Sequence, residues 1–133
     1  MSMNPGVKIY KNAWFEKFAR KERISDSALC SAIDRAGLGL IDADLGSGLI
    51  KQRVAREGAG KSGGFRMLIF FQTAERAIFV FGFAKSDKAN LNAEELTEFR
   101  KAAKELLAFP QHQMDALVKI GRLTKVRHGD EDI

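Results

Sequence analysis

The chain is poor in the side chains that most often make disulfides and metal sites. Its 133 residues include one cysteine and two histidines. Cys30 cannot form an internal disulfide, which fits a reducing compartment, and its place in the apolar stretch ALCSAI predicts a buried, inert thiol. His112 and His128 have no cysteine or other histidine at ligand spacing. We therefore expect neither a bound metal nor a cofactor.

Long apolar runs are missing as well. No run approaches the roughly 20 residues that a membrane-spanning helix needs. The first residues, MSMNPGVKIYKN, lack the apolar block of a secretory signal. With 45% hydrophobic and 29% charged residues, the composition is typical of a soluble globular protein. We expect a single cytoplasmic domain over residues 1–133 that does not engage membranes.

Acidic residues are outnumbered by basic ones. There are 17 acids against 22 lysines and arginines, for a formal net charge of +5. The acids gather between positions 92 and 105 and in the tail 130–132, whereas the segment 49–66 carries five cations and one acid. This distribution favours an anionic partner, either nucleic acid or an acidic protein.

Apolar residues at helical spacing mark four segments of the chain. These segments are 14–20, 25–37, 92–108 and 111–120. Ser25 or Asp26 can cap the second helix and Gly37 ends it. Asn92 can cap the third helix, with glutamate three residues later completing a capping box. The first two helices follow each other closely and predict an N-terminal helical hairpin.

Short runs rich in aromatic and β-branched residues, or with period-two alternation, mark the strands. They are 7–12, 50–55, 65–72, 77–84 and, as a possible last edge strand, 123–126. Residues 39–48 read as a loop. The three middle strands follow one another with hairpin-length connections, which predicts an antiparallel meander. The fold class is α+β: a small antiparallel sheet with N- and C-terminal edge strands and helices packed on one side.

Two short motifs in the chain suggest sites that their context excludes. GAGKS at 58–62 is similar to a phosphate loop, but that pattern puts Ala55 where a glycine belongs, and a strand follows instead of a helix. DADLG at 42–46 starts like a calcium loop, but Gly46 stands at a ligand position and no glutamate closes the loop. The glycines of 58–64 are better explained as a turn.

The cations around that turn are the remaining candidates for chemistry. Lys51 and Arg53 share one strand face by alternation, and the turn brings Arg66 back alongside them. Lys85 and Lys88 follow the third strand, which flanks the second in a meander. All five can then converge on one edge or one face of the sheet. The alternative is an ordinary solvated strand face.

Two long segments carry a resemblance to a known family. IKQRVAREGAGKSGGFR and AIFVFGFAKSDKANLNAEELTEFRKAAKELL resemble the RelE-like toxins of bacterial toxin–antitoxin pairs, within the RelE/ParE superfamily, and HigB-type members are similar. The likeness spans about residues 7–127 and is strongest over 44–107. It implies a compact sheet with an N-terminal helical hairpin. It also implies a toxin that cuts mRNA on the ribosome and is neutralised by an antitoxin, commonly a helix-turn-helix DNA-binding protein.

In such toxins a ribose 2′-OH attacks the neighbouring phosphate, without a metal, while basic residues stabilise the developing charge. The resemblance implies catalytic roles for Lys51, Arg53, Arg66 and Lys85, and RNA binding by Arg56, Lys61 and Lys88. Arg66 is expected to clamp the phosphate, because a guanidinium can bind two oxygens. Lys51 and Arg53 are expected to orient the RNA or to promote proton transfer.

Some side chains fit the family pattern less well. Many family nucleases use a tyrosine or histidine near the end of the sheet, yet the only tyrosine here is Tyr10, so the pattern identifies no general acid or base. Phe65 and Phe83 can stack on a base, but we expect them in the core. Two other functions stay open: a ParE-like toxin that inhibits gyrase without cleaving RNA, and a non-enzymatic module that binds RNA or an acidic protein.

Overall fold

A computed structural model describes residues 6–55, 64–85 and 91–127. These residues form six strands and four helices. In chain order they are β1 (Lys8–Asn12), α1 (Ala13–Glu22), α2 (Asp26–Gly37), β2 (Ala43–Gly46), β3 (Leu49–Val54), β4 (Phe65–Gln72), β5 (Arg76–Ala84), α3 (Ala93–Leu107), α4 (Gln111–Lys119) and β6 (Leu123–Lys125). The α+β class and the helices predicted at both ends of the chain are confirmed. Among these residues, no helix combines the length and apolar character that crossing a bilayer requires.

The six strands form one sheet in the order β2-β3-β4-β5-β1-β6. The meander β3-β4-β5 is antiparallel as predicted, and β6 is an edge strand. The prediction that the first strand lies at an edge is wrong. β1 lies between β5 and β6 and pairs in parallel with β5, with Ile9 opposite Ala77. The sheet is therefore mixed. β1 supplies the hydrogen-bonding partner that β5 needs on the side away from β4.

Helices cover both faces of the sheet, so the prediction of helices on one side is wrong. Helices α1 and α2 pack with Met67 and Ile69 in one core, while α3 and α4 pack with Leu68 and Phe70 in the other. The physical reason is the composition of β4. It is a continuous apolar run whose alternate side chains point to opposite faces, and a strand of this kind is stable only when both faces are buried.

The predicted loop 39–48 contains the short strand β2. It pairs with β3, with Ala43 opposite Lys51. Ser47 and Gly48 lie between the two strands with φ of 57° and 87°, and glycine adopts such positive φ at little cost. The high aspartate and glycine content hid this strand from sequence reasoning, because both residue types are depleted in strands.

Side-chain caps begin two helices as predicted. The hydroxyl of Ser25, rather than Asp26, accepts a hydrogen bond from the backbone N–H of Ala28 at 3.1 Å. Asn92 and Glu95 form the reciprocal capping box of α3. Cys30 is buried on α2, as expected.

Buried Arg76 holds the two C-terminal helices on the sheet. Its Nη1 donates to the backbone oxygens of Leu106 and Phe109 at 2.9 and 2.8 Å, and its Nη2 donates to the side chain of Gln111 at 3.3 Å. The carbonyls at the end of a helix lack partners within the helix. Arg76 therefore satisfies the end of α3 and anchors the start of α4 to β5.

A small ionic cluster joins β1 to both N-terminal helices. Lys11 Nζ lies 2.8 Å from Glu16 Oε2 and 3.2 Å from Asp26 Oδ1. The other oxygen of Asp26 accepts the backbone N–H of Arg127 at 2.9 Å. Burial lowers the pKa of Lys11, but hydrogen bonding and the charges of both carboxylates outweigh it, so the pKa is raised. The pKa of Glu16 is lowered, chiefly by its hydrogen bond with Lys11.

We predict that Lys11→Met lowers the free energy of unfolding by about 1–3 kcal/mol near neutral pH, because two carboxylates lose their buried partner. In the wild type, the Glu16 contribution is present above pH 4.5 and is lost as the pH falls through the lower folded-state pKa. The Lys11 contribution is present below pH 10.5 and is lost as the pH rises through the raised pKa.

Urea unfolding at a series of pH values measures this effect. Lys17→Met, on the exposed surface of α1, is the control and should unfold like the wild type. Equal midpoints for Lys11→Met and the wild type at pH 7 would contradict the stabilising role of the cluster.

Candidate functional site

Strand register aligns the predicted cations at one end of the sheet. Arg53 on β3 lies directly opposite Arg66 on β4, and Arg66 lies opposite Phe83 on β5. Directly paired residues share a face of the sheet. Lys51 lies on that same face two residues before Arg53, opposite Leu68. The antiparallel pairing of β3 with β4 therefore puts Arg66 beside Arg53, as predicted.

These arginines line a cleft of about 520 Å³ at the end of the sheet. The described residues that line it are Arg35, Arg53, Val54, Ala55, Gly64, Phe65, Arg66 and Lys85. The backbone N–H of Lys85 donates to the oxygen of Gly64 at 2.8 Å, which joins the end of β5 to the start of β4. Four cationic residues thus line one cleft.

Arg35 is the cation that sequence reasoning missed. It lies in the last turn of α2, and its Nη2 donates to the backbone oxygen of Arg53. It also lines a second cleft, of about 450 Å³, next to the first. The available signal was its spacing, because position 35 is seven residues after Ala28 and three after Ala32, beside the apolar face that packs on the sheet.

Asp42 is the second residue that was missed, since the sequence pattern presented it only as part of a rejected calcium loop. Its Oδ2 lies 2.6 Å from Nη1 of Arg66, and its Oδ1 lies 3.3 Å from Nε of Arg53. One carboxylate therefore bridges the two arginines that lie opposite each other on β3 and β4. Asp42 also lines the second cleft, with Arg35 and Arg53.

The other predicted site residues divide into two groups. Lys51 is half-buried and does not line either cleft among the described residues. Arg56, Lys61 and Lys88 lie outside the described residues, so their roles stay predictions.

The two phenylalanines expected in the core differ. Phe65 is 2% exposed and belongs to the core beneath α1 and α2, as expected. Phe83 is only half-buried, with its ring centroid 6.3 Å from that of Phe81. The expectation for Phe83 is therefore met only in part.

The side chains that family nucleases often use for proton transfer lie elsewhere. Tyr10 is fully buried on β1, two strands away from β4, and its hydroxyl accepts a hydrogen bond from Gln111 at 2.9 Å. His112 is exposed on α4, the helix that packs on β6. Among the described residues that line the larger cleft, none is a tyrosine, histidine or carboxylate. The cations of the larger cleft can bind an anion and stabilise negative charge.

We predict that sulfate stabilises the protein more than chloride does at equal ionic strength. At about ten times its Kd, bound sulfate should add roughly 1.4 kcal/mol, or about 5 °C in Tm for a domain of this size. Thermal unfolding measures this difference. Arg66→Ala should remove most of it because the cleft loses a converging donor, whereas Arg122→Ala, at an exposed position after α4, should retain it. A sulfate effect of equal size in both variants would show that the cleft does not bind the anion.

Comparison with known proteins agrees with this architecture. A family model described as the RelE toxin of the RelE/RelB toxin–antitoxin system matches residues 7–126. Among curated proteins, none matches the chain significantly. The family match covers the whole sheet, the four helices and every described residue of the larger cleft. The chain belongs to the RelE toxin family of toxin–antitoxin systems.

Proposed function

We propose that this toxin is an endoribonuclease that cuts mRNA on the ribosome and thereby inhibits translation in the cytoplasm. The proposal is supported by one observation: Arg35, Arg53, Arg66 and Lys85 line a single cleft in a chain of the RelE toxin family. RNA presents a phosphate at every nucleotide, and lysine and arginine supply affinity for that backbone. The antitoxin, which we propose is a helix-turn-helix DNA-binding protein, would keep the toxin inactive.

The chemistry requires charge stabilisation more than a protein nucleophile. The ribose 2′-OH forms a bond to phosphorus, and the bond from phosphorus to the 5′-oxygen of the next nucleotide breaks. The products are a 2′,3′-cyclic phosphate and a 5′-hydroxyl. The 2′-OH loses its proton and the leaving 5′-oxygen gains one, so the step needs no oxidant or other co-reactant.

Each cleft cation has a role that its chemistry supports. Arg66 clamps the phosphate oxygens, because a guanidinium presents several N–H groups in one plane. Arg53 orients the strand, and Lys85 supplies a compact ammonium that stabilises negative charge on the leaving oxygen. Donors fixed in advance around a charged transition state can account for much of a rate enhancement. Because the cations supply this charge, the proposed step does not require a metal.

Arg35 completes the cluster from the helical layer. Its contact with the backbone oxygen of Arg53 fixes the end of α2 against β3. It therefore contributes positive charge to both clefts and supports the strand that carries Arg53. A strand of RNA that crosses the larger cleft would meet charge from the sheet and from α2.

We predict that the purified protein cleaves a defined mRNA in a reconstituted translation reaction and does so only when ribosomes are present. Arg66→Ala should lower the cleavage rate by about 10²–10³-fold, the usual loss when one transition-state donor is removed. Primer extension locates the cuts, and end-group analysis identifies the cyclic phosphate. Arg122→Ala should cleave like the wild type.

Three other results would contradict the proposal. Transcripts that stay intact during growth arrest would rule out the nuclease. Loss of DNA supercoiling while translation continues would favour inhibition of gyrase. RNA or protein binding that weakens in Arg53→Ala and Arg66→Ala, with no cleavage by the wild type, would favour a non-enzymatic binding module.

A further inference from the structure

The carboxylate of Asp42 contacts both Arg53 and Arg66. Each carboxylate oxygen lies near a different arginine, Oδ1 near Nε of Arg53 and Oδ2 near Nη1 of Arg66. The contact with Arg66 is the closer one, at 2.6 Å against 3.3 Å. The side chain of Arg66 is 21% exposed and that of Arg53 is 62% exposed. Arg66 is therefore the arginine that Asp42 holds more firmly.

The backbone of Asp42 is itself fixed from the core. Its N–H donates to Oε1 of Gln52 at 3.1 Å. Gln52 is 2% exposed, and its Nε2 donates to the backbone oxygens of Ala32 and Leu40 at 3.0 and 2.9 Å. A buried amide with its hydrogen bonds satisfied has little freedom to move. The position of the Asp42 carboxylate is thus set by α2 and β3.

The contact leaves other donors of Arg66 for a ligand. A guanidinium carries N–H groups on Nε and on both Nη atoms. Asp42 accepts a hydrogen bond from Nη1. A carboxylate on this atom restricts rotation of the guanidinium plane, so its other N–H groups keep a constant direction. The same carboxylate also adds negative charge beside a site that binds a phosphate.

We propose that Asp42 is a positioning residue that orients Arg66 for catalysis and weakens RNA binding through its charge. This inference rests on the proposed ribonuclease function. Asp42 acts through Arg66 and need not touch the RNA. Removing its charge should therefore separate two quantities that a general loss of structure would change together: turnover should fall, while RNA affinity should stay the same or rise.

The test compares Asp42→Asn, Asp42→Glu and the wild type in the ribosome-dependent cleavage reaction. Asp42→Asn should lower kcat about 10–100-fold without raising KM, because a transition-state interaction is lost and ground-state binding is kept. Asp42→Glu, which keeps the charge, should recover part of kcat. Asp44→Asn, an exposed aspartate on the neighbouring strand β2, should leave both constants unchanged. Unchanged kcat in Asp42→Asn, or a raised KM with unchanged kcat, would overturn the inference.

A binding measurement separates this inference from the proposed function. The Kd for a single-stranded RNA that carries 2′-deoxynucleotides, and so cannot be cut, is measured over a range of salt concentrations. Because the site gains one unit of net positive charge, the slope of log K against log salt should steepen by about 0.7 in Asp42→Asn. Failure of the wild type to cleave RNA would contradict the proposed nuclease function. An unchanged salt slope in Asp42→Asn would instead overturn the proposed role of Asp42.

Thermal unfolding serves as the check on folding. Asparagine keeps the size of the side chain and the backbone N–H that donates to Gln52, so Asp42→Asn should keep a Tm close to that of the wild type. If Asp42→Asn unfolds early, Asp42→Ser, with a side chain that contacts neither arginine, is measured in the same two assays. Wild-type kcat and salt slope in Asp42→Ser would also overturn the inference.

Discussion

The pairing of β3 with β4 determines the geometry of the cleft, because it places Arg53 directly opposite Arg66. A slip of one residue would move one of these arginines to the other face of the sheet. The apolar neighbours prevent such a slip. Ile50 and Ile69 are paired and belong to one core, while Leu49 and Phe70 are paired and belong to the other. Since both faces are buried, any change of register would expose apolar groups and bury charge.

The residues of the core and the residues of the cleft lie in different regions along the strands of this sheet. Apolar side chains occupy β4 from Met67 to Phe71, where helices cover both faces. Toward the start of β4, the cations of the cleft replace apolar side chains on one face. The buried Gln52 links the two regions, because it satisfies backbone groups of the helical layer and also holds Asp42 beside the arginines. The conformation of the site is therefore supported by the core.

Local chemistry accounts for the features that could be predicted from the sequence. The capping box of α3, the bounds of β4 and the shared face of Lys51 and Arg53 depend on residues close together in the chain. Helix capping and strand alternation are local effects of this kind.

Long-range contacts explain what the sequence did not reveal. The parallel insertion of β1 beside β5 and the helices on both faces depend on segments far apart in the chain. The same holds for the site. Arg35 contacts Arg53, 18 positions later in the chain, and Asp42 contacts Arg66, 24 positions later. A pattern of spacing within one element contains no information about such pairs.

In the proposed reaction, the cleft cations promote attack of a ribose 2′-OH on the neighbouring phosphate. An mRNA with a single 2′-deoxynucleotide on the 5′ side of a mapped cut tests it most directly, because this change removes the attacking oxygen and leaves every phosphate in place. We predict that cleavage at that one position disappears, while binding and cleavage at other positions continue. Continued cleavage at the deoxynucleotide would show that the 2′-OH is not the attacking group.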